Sequence, residues 1–505
     1  MLAHQPRPRR VAPQGEGRLT THAAAPSGGR LARNTLYSAV GELSNLLLFL
    51  LGFLAARTLG EASFGEYSTA FAFVGLFRIL PDFGMSYAST LAISRRPADA
   101  ARLASALLGL QAVLSLATLA LCLGIGRTLY DGVIWSAVVV LTLDILLKAL
   151  KTTLRWLLKA LERFGVEALS LLAERLLILG LGATVLLLGY GVVAFALVFA
   201  AVRLLDAAAL YLYVTTRVVP LRPALDLPLW GELFRKGLPF AYAGLVITLV
   251  FQVDAVLLEA MKGAVEVGIY RAPTLVLEGL TLLPRILGFA LIPTMAALHE
   301  SQPQVVGRLF RRGVKYLLLL GTPVGIFGVM ESDRFVVWLF GDRFAASIPV
   351  AQVLLPAAVF MFLSNFSETT LACVSRWRAI VIASTAALAI NIALNLLWIP
   401  RLGAMGSAWA TLATEAAYFA MSLAAVRRAG HVGPPPGDLI RALGPSAVFG
   451  VALWLARPLP LLAGAAMASL AFAVATAVFG VWDAAEQRAL RELMRGRKPD
   501  PQSLA

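Results

Sequence analysis

Four stretches of the chain, residues 103–126, 176–202, 379–400 and 458–482, contain no Asp, Glu, Lys or Arg. Each is long enough to cross the hydrocarbon core of a bilayer, for which about 20 apolar residues suffice. Lipid offers backbone amides no water to bond, so segments of this kind satisfy their own amides as helices. Composition agrees, with 14% charged residues against about a quarter in soluble proteins, and a mean hydropathy of +0.78. The chain reads as an all-α, polytopic membrane protein.

Fourteen spans are expected, at about 35–56, 66–92, 103–126, 132–153, 166–189, 191–214, 238–260, 269–298, 314–331, 348–372, 379–399, 404–426, 438–456 and 459–482. They group into a basic tail (1–33), a six-helix lobe (34–214), a linker (215–237), a second six-helix lobe (238–430), two extra helices (431–482) and a tail (483–505). The first apolar stretch begins too far from Met1 for a cleaved signal, so it reads as a retained membrane helix.

The net charge of +15 is spread in short basic clusters between apolar runs, which points to cytoplasmic connections and away from nucleic acid. With the amino terminus inside, 32 of the 44 Lys and Arg fall on the tails and inner connections. Eight fall on outer ones: Arg57, Arg127, Lys262, Arg271, Arg334, Arg343, Arg401 and Arg457. Arg78, Arg175, Arg203 and Arg285 remain inside spans. Both termini are therefore expected in the cytoplasm.

The stretch "LGEASFGEYSTA" (59–70) repeats in "KGAVEVGIYRAP" (262–273). Gly60 aligns with Gly263, Gly65 with Gly268 and Tyr67 with Tyr270, all 203 residues apart, and the same offset carries Leu80-Pro81 onto Leu283-Pro284. Six helices separate the copies, an even number, so the halves enter the membrane in the same sense. That is a parallel repeat about an axis along the membrane normal, and transporters built this way hold their substrate path between the halves.

These residues also resemble a family. "LAARTLGEASFGEYSTAFAFVGLFRILPDFGMSYA" is similar to the first two helices of bacterial polysaccharide flippases, and "VDAVLLEAMKGAVEVGIYRAPTLVLEGLTLLPRILGFALIPTMAAL" to helices 7 and 8. "RFVVWLFGDRFAAS" (334–347) and "GAMGSAWATLATE" (403–415) look like the loop after helix 9 and the start of helix 12. The superfamily also holds lipid II flippases and multidrug-and-toxin extruders, and the resemblance covers about residues 33–430. It implies two six-helix lobes around a central cavity, alternating access, and a polyprenyl-diphosphate-linked glycan as cargo.

Charges inside a membrane are expensive and mark cavities or partners. Arg78 and Asp82 lie four apart on one helix face, and Arg285 is the repeat equivalent of Asp82. Two readings follow: Arg78 and Arg285 attract a lipid diphosphate, which guanidinium groups bind in bidentate fashion, or these charges form an ion pair stitching helices. Asp82 and Arg285 are expected at one depth, either as a cross-lobe pair or with Arg285 on the diphosphate. Pro81 and Pro284 each remove a backbone donor, and with Gly84 they suggest a hinge or a static kink. Asp254, in "FQVDAVLL", is either a seat for a coupling ion, H+ or Na+, or a packing partner for an arginine. Glu42, Asp144, Glu174, Arg175, Arg203, Asp206, Glu278, Glu368 and Glu415 are further charges within spans. Glu174 with Arg175, and Arg203 with Asp206, are expected to satisfy each other. "LKALKTTLRWLLKALERFG" (147–165) reads as a basic amphipathic extension on anionic headgroups or an ordinary inner loop.

Cys122 and Cys373 both lie in apolar segments, the four histidines are scattered, and no Walker loop, zinc spacing or nucleophile elbow occurs. No cofactor is expected and the chain does not read as an enzyme. The expected function is translocation of a polyprenyl-diphosphate-linked oligosaccharide for surface polysaccharide, among membrane lipids and beside a polymerase and a ligase. The alternatives are a multidrug extruder and a membrane glycosyltransferase or ligase. The last would need a sizeable outer loop, whereas the longest expected, 332–347, offers only Asp333 and Asp342.

Overall fold

A computed structural model describes residues 43–430 and 436–482, with positions 37, 41 and 486 besides. The tails expected at 1–33 and 483–505 lie outside the described residues, position 486 apart. Every regular element among the described residues is helical.

The first lobe comprises α1 (Asn45–Leu76), α2 (Met85–Arg95), α3 (Ala100–Leu129), α4 (Gly132–Ala160), α5 (Phe164–Leu187) and α6 (Val192–Arg217). The second comprises α7 (Leu227–Lys262), α8 (Ala264–Leu280), α9 (Leu282–Leu298), α10 (Pro303–Phe340), α11 (Ile348–Cys373), α12 (Trp377–Leu402) and α13 (Ala404–Arg428). The two extra helices are α14 (Pro436–Leu455) and α15 (Leu461–Val478), and α14 rests on α10. Ten helices among the described residues are long and apolar enough to cross a membrane. The fourteen expected crossings do not map one to one onto helices, because the second runs from the part of α1 beyond Gly60 into α2, and α8 with α9 make one broken crossing.

The repeat is visible in backbone geometry. Gly60 breaks α1 with φ 76° and ψ 172°, and Gly263 separates α7 from α8 with φ 85° and ψ 174°. Only glycine adopts such angles without strain, which accounts for glycine at both equivalent places. Five residues further, the lobes cross. A Cβ at Gly65 would lie 1.8 Å from the Ala264 carbonyl oxygen, and one at Gly268 would lie 1.9 Å from that of Glu61. Residues 61 and 264 are again 203 apart, so the contact is reciprocal. Small residues at a helix crossing let backbones approach closely in a membrane, where packing takes over from the hydrophobic effect. The lobes thus meet through α1 on one side and α7 and α8 on the other.

Several expected boundaries move. No loop joins the first two spans, since α1 is helical up to and beyond Gly60. The 332–347 loop shrinks, because α10 runs to Phe340 and 342–347 form a 3-10 turn. The linker between lobes narrows to 218–226, because α7 already begins at Leu227. The segment 147–165 is a fourth correction: Lys151 is buried, and Arg155 is mostly so, inside the first lobe. Carboxylates on α5 and α6 turn that face of α4 inward.

Candidate functional site

The opening of the site is the break after α1. Residues 77–84 are not α-helical, and Phe83 and Gly84 have φ of 47° and 71°. A Cβ on Gly84 would lie 2.7 Å from Phe240 Cβ and 2.8 Å from Ala241 N, so α7 packs directly on this turn. Asp82 holds the chain as helix resumes. It accepts hydrogen bonds from the Ser86 amide (3.2 Å), the Ser86 hydroxyl and Gln111 Nε2 (2.8 Å). A carboxylate on a free amide of the first turn is a capping arrangement.

The equivalent proline does not produce an equivalent break. Pro284 lies in the first turn of α9, where its missing donor has no partner to lose, and only Thr281 separates α8 from α9. The repeat offset places Leu287 where the first lobe has Gly84. A leucine resists the positive φ that Gly84 takes, so the second lobe stays nearly helical.

From this break Arg78 projects into a cavity of about 500 Å³ between the lobes. Arg78 donates to Thr248 Oγ1 on α7 at 3.3 Å. Arg285 lines the same cavity from α9, and no ion pair holds it among the described residues. The structure therefore brings Arg78 and Arg285 to one cavity and leaves Asp82 out of it. The cross-lobe Asp82–Arg285 pair does not form.

Four more cations line the cavity, Lys148, Arg175, Arg203 and Arg271, against the carboxylates Asp144 and Glu278. Arg271 pairs with Glu278 at 3.1 Å. Arg203 pairs with Asp144, and with Glu174 at 3.3 Å, in place of the expected partner Asp206. Behind this wall Lys151 meets Glu174 at 2.5 Å and Asp206 at 3.0 Å, while Arg155 meets the same two at 2.7 and 2.9 Å. Arg175 is 3.5 Å from Glu174. Buried ions of one sign cost several kcal/mol unless paired, so this network keeps four cations, Lys151, Arg155, Arg175 and Arg203, inside the lobe.

Sequence reasoning missed Lys148 and Arg271 as cavity residues. The signal for Lys148 was present, because Asp144, Lys148, Lys151 and Arg155 follow one another at helical spacing on one face. Arg271 was assigned to an outer connection, but α8 begins at Ala264 and carries it inward.

Asp254 forms a separate site within the second lobe. Tyr270 Oη donates to its Oδ2 at 2.8 Å, Thr411 Oγ1 donates at 3.3 Å, and Asn395 Nδ2 donates to Oδ1 at 3.0 Å. No arginine bridges to it among the described residues, contrary to the packing alternative. Asn395 Oδ1 nearby is buried without a hydrogen-bond partner. Oxygen donors of this kind suit a hard cation or a proton. Glu415 and Glu368 lie elsewhere in the lobe, bonded by Ser364 at 3.0 Å and Tyr418 at 2.9 Å.

The sequence profile described as "Polysaccharide biosynthesis protein" matches residues 31–299. No curated protein sequence matches the chain. Among solved structures, a lipid II flippase, MurJ, in an inward closed conformation is similar with a TM-score of 0.74 at 13% identity, covering 92% of this chain and all of that one. An inward-facing multidrug resistance transporter of the MATE family gives 0.59 at 14% identity, over 79% of this chain and 98% of its own. A MOP superfamily transporter from Pyrococcus furiosus gives 0.56 at 13% identity, over 79% and 95%. At these identities the likeness is one of fold.

Proposed function

The chain belongs to the polysaccharide biosynthesis protein family, and we propose that within it the protein is a flippase for a polyprenyl-diphosphate-linked oligosaccharide. The observation that carries this reading is the cationic cavity between the lobes, to which each lobe contributes an arginine without an ion pair among the described residues, Arg78 and Arg285. A diphosphate crossing a membrane needs cations that stay charged away from bulk water, and guanidinium groups supply them. A cationic drug would meet six like charges there, which argues against the extruder alternative. Asp82 holds the break from which Arg78 projects and takes no part in binding.

The positive-inside count places the break at Gly60 and the Gly65–Gly268 crossing at the outer face, with both termini in the cytoplasm of the inner membrane. Even with Lys148, Lys151 and Arg155 moved from the inner loops into the bundle, inner charges far outnumber outer ones. The crossing then closes the cavity outward, and separation of the lobes there opens it. Asp254 with Tyr270, Asn395 and Thr411 is the seat of a coupling H+ or Na+. A polymerase and a ligase would take up the cargo on the outer side.

Purified protein in liposomes tests the reading. It should move a fluorescent polyprenyl-diphosphate oligosaccharide between leaflets, and Arg78→Gln or Arg285→Gln should reduce the rate at least tenfold, each having lost a charge-assisted contact. Export of a lipophilic cation with no movement of the glycolipid would overturn it.

A further inference from the structure

The cavity and the wall behind it are charged beyond what a diphosphate requires. Counting the cavity wall with the ion network behind it, eight cations face four carboxylates. A diphosphate diester carries one charge on each phosphoryl group, so it neutralises half of the excess. The remainder is not spread evenly. Arg271 is matched by Glu278, and Arg203 by Asp144, which leaves Arg78, Arg285, Lys148 and Arg175.

Lys148 and Arg175 stand apart from the other two. They sit in the middle of α4 and α5, on the first-lobe wall. The Lys148 side chain makes no ion pair or hydrogen bond among the described residues, yet it lies within electrostatic reach of Arg78, Arg175 and Arg203, with Asp144 as a counter-charge. The Arg175 side chain is 11% exposed and its one ion pair is long, 3.5 Å. Its Nε and Nη1 are buried with no hydrogen-bond partner among the described residues. Buried donors of this kind are normally satisfied. At Arg175 the network has donors without acceptors, while its other end joins Lys151 and Arg155 to Glu174 and Asp206 at 2.5–3.0 Å.

We propose that Lys148 and Arg175 form a second anion subsite, distinct from Arg78 and Arg285, which receives an acidic group of the glycan itself. The inference rests on the flippase reading and narrows it: the cargo is an acidic oligosaccharide, with a carboxylate on a sugar docked on α4 and α5 while the diphosphate lies at Arg78 and Arg285. A carboxylate supplies the missing acceptors for Arg175 and a counter-charge for Lys148, with no rearrangement of the Arg203–Asp144 pair.

Two short-chain probes separate the possibilities: a farnesyl-diphosphate disaccharide ending in glucose, and the same lipid ending in glucuronate. Binding is measured on the full-length protein in nanodiscs. The glucuronate lipid should bind about tenfold more tightly, the gain expected of one charge-assisted bond. In Lys148→Gln and Arg175→Gln that ratio should fall to about one, and Lys148→Arg should restore it. Arg78→Gln should weaken both lipids together. Equal binding of the two lipids by the unmodified protein overturns the acidic subsite and leaves the flippase reading standing. Loss of both lipids in parallel in Lys148→Gln, with melting temperature unchanged, also overturns it, since the diphosphate would then occupy the subsite. If neither lipid binds the unmodified protein, the flippase reading fails as well.

Discussion

Alanine at Gly65 or Gly268 should hold the outer side of the cavity open. A Cβ at these places would lie 1.8 Å and 1.9 Å from the carbonyl oxygens of Ala264 and Glu61, whereas ordinary contact begins at about 3.4 Å. The lobes would have to part by about 1.5 Å at the crossing. Both obstructing atoms are backbone, so no side chain can turn aside, and the strain falls on the interface as a whole. Overpacking of this kind costs about 1–3 kcal/mol. At about 1.4 kcal/mol per tenfold change, that weakens closure roughly 5- to 150-fold. The lobes can relieve the strain by staying apart, so the variants should fold.

Ser68 lines the cavity one turn from Gly65 and is 4% exposed. A single cysteine there, with Cys122 and Cys373 replaced by serine, reports opening through its rate of labelling by an impermeant maleimide in intact cells. Gly65→Ala and Gly268→Ala should each raise that rate about tenfold or more, and by similar factors because the contact is reciprocal. Unchanged labelling in both, at normal protein level in the membrane, would refute the gate. A response at only one of the two glycines would refute its symmetry.

Asp82→Ala removes the acceptor for the Ser86 amide and hydroxyl and for Gln111, and should cost about 2–3 kcal/mol, read as a lowered melting temperature. The double reversal Asp82→Arg with Arg285→Asp should fail to restore it, and a rescue would reinstate the cross-lobe pair. Single cysteines at Arg127 and Asp342 should label from outside, and those at positions 33, 217 and 497 should not; labelling at 217 in intact cells would overturn the orientation. Asp254→Asn should leave glycolipid binding in place and abolish stimulation of flipping by an imposed Na+ or proton gradient, whereas full stimulation would exclude Asp254 as the coupling site.

The fold was legible because the features that set it act locally. Hydropathy marks spans one at a time, and the repeat shows through Gly60, Gly263, Gly65 and Gly268 because a positive φ or a backbone contact tolerates little else. Local signals mislead where a distant partner decides. Lys148, Lys151 and Arg155 look like inner-surface charges by the positive-inside rule, but that rule cannot see Glu174 and Asp206, which lie 19 and 51 residues from Arg155.

The Asp82–Arg285 pair, one of the two arrangements expected of these residues, does not form in this structure, because a near partner takes Asp82 before a distant one. Equivalence under a repeat about the membrane normal fixes equal depth, not proximity. Two equivalent residues meet only if both sit on the axis, as the glycines of the crossing nearly do. Asp82 instead had Ser86 four residues ahead of it, at the start of a helix whose free amides require an acceptor in any conformation of the lobes. A bond that close costs little entropy to form and survives any rocking of the lobes. What remains for Arg285 is the cavity, and an arginine that no carboxylate among the described residues pairs with is what the proposed anionic cargo requires.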